Sequence, residues 1–228
     1  MSKHTIIFLH GGPGFKDYLK PYFNEIESEF DCIFYDQKRG SEVRIEDLIK
    51  ELNDLVTSLS SKPILLGHSW GGVLATEYAK THQDKIHGLI LMNTGLSSEQ
   101  WIQWNDELDQ LGLGDATAEE LFLSYNEKEE GAKLLKKTME SFSGETFDNL
   151  FSSYLESYNL LEDLKNIKVA TLNIYGENDL RFSRKVTTSF RDYNESIVDF
   201  EVLGAGHFPF LDFGNRDKIF REIIRLFK

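Results

Sequence analysis

The feature that most constrains this chain is a repeated alternation of short apolar runs with amphipathic stretches. The apolar runs are four to seven residues long and cover residues 5–9, 32–35, 63–66, 86–92, 169–175 and 197–203. Most of them are continuously apolar, which is typical of strands whose two faces are both covered. The pattern therefore predicts buried strands rather than the half-exposed strands of an open antiparallel sheet.

Helical patterns separate these runs. They cover residues 18–30, 44–59, 69–81 and 217–227, with apolar residues at three- and four-residue spacing or, in 69–81, small buried ones. A strand followed by a helix, repeated along the chain, requires right-handed crossovers. The sequence thus predicts an α/β fold with a mostly parallel, doubly wound sheet.

One segment, residues 96–165, lacks a convincing strand. We expect it to be an inserted helical lid on a core formed by residues 1–95 and 166–228, with a capping box at Thr117 and Glu120. Most of its aromatic residues should form the lid's own core, and two or three should face a cavity below. These aromatic residues are Trp101, Trp104, Phe122, Tyr125, Phe142, Phe147, Phe151, Tyr154 and Tyr158.

Composition excludes several classes of protein. The single cysteine, Cys32, cannot form an internal disulfide, and no cluster of cysteines suggests a metal site. No apolar run approaches the roughly 20 residues of a membrane span, and no signal peptide precedes the first strand, so we expect a cytoplasmic protein. The net charge of −13 disfavours nucleic acid and anionic membranes as partners. Neither a cofactor nor a metal is expected.

The segment from Gly67 to Gly72 predicts a nucleophile. It matches G-x-S-x-G between an apolar run and a helical pattern, with Ser69 at the centre. A chain that reverses sharply from strand to helix needs small residues beside the serine and presents the serine hydroxyl at the edge of the sheet. We therefore expect Ser69 to be the catalytic nucleophile.

The sequence His10-Gly-Gly-Pro-Gly14 follows the first strand and predicts an oxyanion loop. Acyl transfer needs two amide donors directed at the developing negative charge. We expect these donors to be the amides of Gly12 and of Trp70, the residue after the nucleophile. A phosphate-binding loop is excluded because G-x-G-x-x-G and a trailing Gly-Lys-Ser/Thr are both absent.

His207 is the histidine that is best placed to act as the general base. It lies in a short loop after the last strand, at the sheet edge to which Ser69 also belongs. The orienting acid should precede the histidine, and Asp179 follows the penultimate strand. Glu177 is the alternative acid. His10 should brace the oxyanion loop, and His68 should be structural.

These motifs resemble the α/β-hydrolase superfamily. Within it, His10 to Gly14, Gly67 to Gly72 and the segment Asp36-Gln-Lys-Arg-Gly-Ser41 resemble the prolyl iminopeptidase branch, although Lys38 is inserted in the DQ-RG pattern. The resemblance implies the α/β-hydrolase fold, here without its leading β-hairpin, and the Ser69, Asp179 and His207 triad. It also implies an acidic lid that holds a free substrate amine, for which Glu99, Asp106 and Glu107 are candidates.

Three main functions remain open, beside cofactor-free oxygenase or perhydrolase chemistry on the same fold. The first is a serine hydrolase that cleaves a small ester or amide through an acyl-enzyme. The second is an aminopeptidase that acts on short peptides with an N-terminal proline or small residue. The third is a ligand receptor or regulator that uses the hydrolase pocket without catalysis. The residues that should line this pocket, beside Trp70, are His10, Trp101, Trp104 and Phe208. The sequence specifies neither the substrate nor the oligomeric state.

Overall fold

Six parallel strands form the central sheet. The computed structural model describes residues 3–124 and 127–228. The strands are β1 (Thr5–Leu9), β2 (Asp31–Phe34), β3 (Ile64–His68), β4 (Gly88–Met92), β5 (Ala170–Gly176) and β6 (Val198–Val202), in the order β2-β1-β3-β4-β5-β6. Every pair of neighbours is parallel. The predicted doubly wound parallel sheet is confirmed.

The helices follow the predicted alternation. They are α1 (Lys20–Phe23), α2 (Ile45–Thr57), α3 (Trp70–His82), α4 (Ser98–Gln110), α5 (Ala118–Phe122), α6 (Lys128–Glu140), α7 (Gly144–Leu150), α8 (Leu161–Leu164), α9 (Arg184–Thr188), α10 (Phe190–Tyr193) and α11 (Phe213–Phe227). Across residues 3–124 and 127–228, no helix combines the length and apolar character that crossing a membrane requires.

Both faces of the sheet are buried, which explains the continuously apolar strands. In β1, Ile6 and Phe8 point to one face, where they join a core formed with the segment before β2 and with α11. Ile7 and Leu9 point to the other face, where they pack with α2 and α3. All four side chains are completely buried. Successive side chains of a strand alternate between faces, so two covered faces place consecutive residues in the core and favour a continuous apolar run.

One predicted helix is interrupted. The pattern over residues 18–30 forms one turn of helix, α1, followed by a 3₁₀ turn at Asn24–Ser28. Leu19, Phe23, Ile26 and Phe30 are nevertheless all buried. A spacing of three and four residues fits both helix types, so the apolar pattern could not distinguish them.

The chain between β4 and β5 forms a helical insertion that contains α4 to α8. Two backbone hydrogen bonds join the ends of the insertion. Leu160 N–H donates to Leu96 O at 2.8 Å, and Ser98 N–H donates to Tyr158 O at 2.9 Å. The only bridge in its described part is an isolated antiparallel one between Ser97 and Asn159. The insertion therefore leaves and rejoins the core at one point, next to the carboxyl ends of the strands.

Candidate active site

Ser69 occupies a strained turn between β3 and α3. Its φ of 54° and ψ of −122° lie where residues with a Cβ are rarely found, at a cost of about 1–3 kcal/mol. The surrounding hydrogen bonds maintain this conformation. Ser69 N–H donates to Met92 O at 2.9 Å, and Ser69 O accepts from Thr94 Oγ1 at 2.7 Å and from Gly72 N at 2.9 Å. The backbone on both sides of the hydroxyl is thus fixed before any substrate binds.

Close packing explains the glycine at position 71. A Cβ there would lie 2.0 Å from Leu9 O and 2.8 Å from His10 O. Both atoms belong to backbone at the end of β1 and cannot move aside easily. The first turn of α3 therefore presses directly against the loop after β1, and this contact requires glycine.

Asp179 and His207 form a buried pair. Their side chains are 0% and 3% exposed, and His207 Nδ1 lies 2.9 Å from Asp179 Oδ2. Oδ1 accepts the backbone N–H groups of Arg181 at 2.8 Å and Phe182 at 3.1 Å. Since each carboxylate oxygen accepts hydrogen bonds, the imidazole Nδ1 must donate, which leaves Nε2 as the basic atom.

Asn93 is a part of this arrangement that the sequence did not reveal. It follows β4 with a φ of 45°, and its Nδ2 donates to Asp179 Oδ2 at 2.7 Å and to Gly206 O at 3.2 Å. One side chain thereby connects the acid to the loop that carries the histidine. A polar residue directly after a buried strand was the available signal.

Glu177, the alternative acid, lies elsewhere. It is exposed, and its Oε2 accepts the N–H of Gly204 at 2.8 Å. Its carboxylate stabilises the turn after β6 and does not contact His207 in the structure. The geometry therefore favours Asp179.

Gly12 and Trp70, the predicted amide donors, both line one cavity with Ser69 and His207. Gly12 has a φ of 139°, in a region that side chains rarely adopt. The indole Nε1 of Trp70 donates to Gln37 Oε1 at 2.9 Å, and Gln37 Nε2 donates to His10 O at 2.9 Å. Gln37 therefore joins the loop after β1 to the residue that follows the nucleophile.

His68 is structural, and Tyr18 joins it to the loop after β1. Gly11 N–H donates to Tyr18 Oη at 2.9 Å, and Tyr18 Oη lies 2.5 Å from His68 Nδ1. His68 Nε2 donates to His207 O at 2.8 Å. Burial holds the pKa of His68 well below its usual value, so the ring stays neutral and can accept at one nitrogen. This chain of hydrogen bonds connects the loops of Gly11 and His207.

His10 is not a pocket residue. It is completely buried and does not line the cavity, contrary to the expectation from its position after β1. Its Nδ1 donates to Gly11 O at 2.8 Å, and its Nε2 accepts Gln37 N–H at 3.2 Å. The ring therefore supports the loop after β1 through these hydrogen bonds, as expected, without lining the cavity.

We expect His10 to make the protein acid-sensitive. Burial lowers the pKa of His10 from 6.5 to about 4, so the unfolded chain takes up this proton at a higher pH than the folded chain. Stability from this group is complete above pH 6.5 and is lost as the pH falls towards 4, by about 3 kcal/mol. Urea unfolding of the wild type and of His10→Gln at several pH values measures this contribution. The variant should be less stable at pH 7 but show a shallower decline, and equal slopes would contradict the assignment.

The cavity above Ser69 has a volume of about 340 Å³ and a largely aromatic wall. Trp101 and Phe208 line the cavity as predicted. Trp104 does not line it, and its indole Nε1 donates instead to Leu180 O at 2.8 Å. The insertion contributes more aromatic side chains than the two or three expected. They are Trp101, Phe122, Phe142, Phe147, Phe151 and Tyr158. Tyr125 lies outside the described residues.

The insertion also contacts the loop that carries His207. Phe122 O accepts the His207 N–H at 2.7 Å, and Glu127 Oε2 accepts the Gly206 N–H at 2.9 Å. The Phe122 ring stacks on the imidazole with centroids 5.1 Å apart. Glu127 is 2% exposed, and burial raises the pKa of its carboxyl. The position of the helical insertion and the position of the imidazole are therefore coupled.

The acidic residues expected to hold a substrate amine are not in the cavity. Glu99, Asp106 and Glu107 do not line it, and Glu107 pairs with Lys185 at 2.8 Å. Among the residues that the structure describes, no aspartate or glutamate lines the cavity. The charged side chain in its wall is Arg181, which sequence analysis did not single out.

Comparison with known proteins places this geometry in a family. Residues 4–158, more than half of the chain, match the family model described as the alpha/beta hydrolase fold. A proline iminopeptidase of Saccharolobus solfataricus is 38% identical over 109 residues, which cover 42% of this chain and 35% of that protein. One of Flavobacterium johnsoniae is 27% identical over 120 residues, which cover 46% and 40%.

The matched part of the chain thus spans less than half of the length of these relatives. The solved structure of an esterase from Exiguobacterium antarcticum has the same fold, with a TM-score of 0.77, 17% identity and coverage of 98% of this chain and 91% of the esterase. The predicted resemblance to the superfamily is confirmed. The sheet, the turn at Ser69 and the family match agree: the chain belongs to the family of proteins with the α/β hydrolase fold.

Proposed function

We propose that the protein is a serine hydrolase that cleaves small, largely apolar esters through an acyl-enzyme. The observation that carries this proposal is the placement of Ser69 and His207 in the wall of one cavity, with Asp179 bonded behind the imidazole at 2.9 Å. A nucleophile and a base that line one cavity, with an acid that orients the base, suit acyl transfer.

Each proposed catalytic residue has a separate role in the reaction. Ser69 Oγ attacks the ester carbonyl while His207 Nε2 takes the serine proton, and Asp179 stabilises the resulting imidazolium through Nδ1. The amides of Gly12 and Trp70 stabilise the oxyanion. The alcohol leaves with the proton from His207, and the acyl group stays on Ser69. Water then attacks the acyl-enzyme with His207 as base, which releases the acid and restores the serine.

The cavity wall favours an ester over a free-amine substrate. A buried ammonium group is stabilised best by a carboxylate and is repelled by a like charge, and in residues 3–124 and 127–228 the cavity wall offers a guanidinium and no carboxylate. The similarity to proline iminopeptidases supports the aminopeptidase as the second candidate. The wall composition is the specific reason for ranking it second.

A substrate series tests the proposal. We expect p-nitrophenyl esters to be hydrolysed, with kcat/KM rising about fourfold for each added methylene until the acyl chain fills the cavity, because each buried methylene contributes about 0.8 kcal/mol. Proline- and alanine-p-nitroanilide should react far more slowly. The measurement is initial-rate release of nitrophenol or nitroaniline.

Two results would contradict this ranking. Preferred cleavage of proline-p-nitroanilide, with at least a tenfold loss of kcat/KM on N-acetylation, would favour the aminopeptidase. The loss follows from an ammonium–carboxylate bond of about 1.5–3 kcal/mol. No turnover of any substrate, with a small molecule still raising the melting temperature, would favour a receptor.

A further inference from the structure

Arg181 is fixed in the cavity wall by its neighbours. Its backbone N–H donates to Asp179 Oδ1 at 2.8 Å, so the turn that carries it begins at the proposed catalytic acid. Its guanidinium lies over the Trp101 ring, with Cζ 4.7 Å from the ring centroid. The side chain is therefore held against the wall and faces the same space as Ser69.

The charge of Arg181 has no anionic partner among the described residues. The carboxylate whose charge acts on Arg181 is that of Asp179, and both of its oxygens already accept hydrogen bonds from His207, Asn93 and two backbone amides. Burial lowers the pKa of Arg181, which reflects the cost of desolvating its charge. A partly desolvated cation without a counterion is unfavourable, and a bound anion would remove that penalty.

A second side chain at the same wall carries an unpaired donor. The indole N–H of Trp101, the ring under the guanidinium, is buried and has no hydrogen-bond partner among the described residues. Unpaired donors therefore stand on two adjoining side chains. Two other cations near this loop, Arg184 and Lys185, are exposed and already paired, with Glu201 at 3.1 Å and with Glu107 at 2.8 Å respectively.

We infer that Arg181 binds a free carboxylate on the substrate, so that the preferred substrates are apolar esters that carry a second, ionised carboxyl group. This inference rests on the proposed ester hydrolysis. A guanidinium accepts a carboxylate through two parallel hydrogen bonds, which gives both charge neutralisation and orientation.

The position of Phe182 sets the length of such a substrate. Its ring centroid lies 5.8 Å from Arg181 Cζ and 5.7 Å from the His207 ring centroid. The guanidinium carbon therefore lies no farther from the imidazole centroid than these two distances combined. A chain of several methylenes between the scissile carbonyl and the free carboxylate spans this gap, as in half-esters of adipate and suberate.

Matched half-esters test the inference. The p-nitrophenyl half-esters of adipate and suberate are compared with the same compounds ending in a carboxamide. In the wild type, kcat/KM should be about tenfold or more higher for the carboxylate, as expected for a charge-assisted hydrogen bond. In Arg181→Gln the carboxylate-to-carboxamide ratio should fall to about one. The ratio cancels any general loss of activity in the variant.

Two further variants give the result its specificity. Arg181→Lys keeps the charge and should keep an intermediate ratio, because a point charge replaces the bidentate fork. Lys185→Gln removes a nearby cation outside the cavity wall and should leave the ratio at the wild-type value. A wild-type ratio of one or less, or a ratio that Arg181→Gln does not change, would overturn the inference.

A binding measurement separates this inference from the proposed function. Calorimetry gives the Kd of 4-phenylbutanoate and of 4-phenylbutanamide, and neither probe requires turnover. Binding of the acid should be about tenfold tighter in the wild type and equal to that of the amide in Arg181→Gln. If esters are not cleaved but this difference is present, the hydrolase proposal fails and the carboxylate site stands. If neutral esters are cleaved but the acid and the amide bind equally well, the hydrolase proposal stands and the carboxylate site is refuted.

Discussion

Replacing Ser69 by alanine should reduce kcat for ester hydrolysis by on the order of 10⁵-fold or more, the scale seen when a serine hydrolase loses its nucleophile. It should also abolish covalent labelling by a fluorophosphonate. The two readouts are an initial-rate assay and the mass of the intact protein after labelling.

The expected loss of kcat in Ser69→Ala is large because the turn presents only the serine hydroxyl as the nucleophile. Ser69 occupies a strained conformation that three hydrogen bonds maintain at its backbone, and its hydroxyl faces the cavity that His207 also lines. Alanine has no nucleophilic atom to place there, while the fold keeps those backbone bonds. Residual activity would come from the amides of Gly12 and Trp70 and from substrate binding alone.

Ser58→Ala is the matched control. Ser58 is an exposed serine at the end of α2, outside the cavity wall, and its replacement should change neither the rate nor the labelling. Labelling that persists in Ser69→Ala would refute the assignment of the nucleophile.

Asp179→Asn should lower kcat by about 10⁴-fold, the loss measured for the same change in a serine protease. The asparagine amide would donate towards His207 Nδ1, so that the proton moves to Nε2 and the ring can no longer accept the proton of Ser69. Most of the surrounding hydrogen bonds, including those from the amides of Arg181 and Phe182, can form with the asparagine oxygen. Circular dichroism and the melting temperature establish that the variant is folded.

Glu177→Gln is the control for this substitution. Glu177 accepts the Gly204 N–H on the surface, and glutamine retains an oxygen for that bond. We expect a change in kcat of less than about threefold, since exposed substitutions of this kind have small effects. An inactive Glu177→Gln beside an active Asp179→Asn would reverse the assignment of the acid.

Local patterns were sufficient for the sheet and for the chain order of the proposed catalytic residues. A continuously apolar run such as residues 63–66 predicts a strand covered on both faces, and β3 has that environment. The turn at Ser69 was also readable, because the glycines that a sharp strand-to-helix turn needs, Gly67 and Gly71, flank the serine within one short motif. In each case, neighbouring residues carry the constraint.

The composition of the cavity wall could not be predicted in the same way. We expected most of the insertion's aromatic residues to form its own core, whereas Phe142, Phe147 and Phe151 line the cavity. An apolar side chain satisfies helical spacing equally well whether it faces a neighbouring helix or a cavity. The choice depends on how the insertion is seated on the sheet.

The sequence by itself determined the parallel α/β fold and the sharp turn at Ser69, and it supplied Ser69, Asp179 and His207 as candidates for catalysis, since each of these signals lies within a short segment of the chain. The tertiary structure alone decided that Asn93 supports Asp179, that Tyr18 joins Gly11 to His68, and that Arg181 faces the cavity beside Trp101. Each of these contacts joins segments that are distant in sequence. No local sequence pattern predicts such a contact, because the contact forms only when the parallel strands place their carboxyl ends at one edge of the sheet.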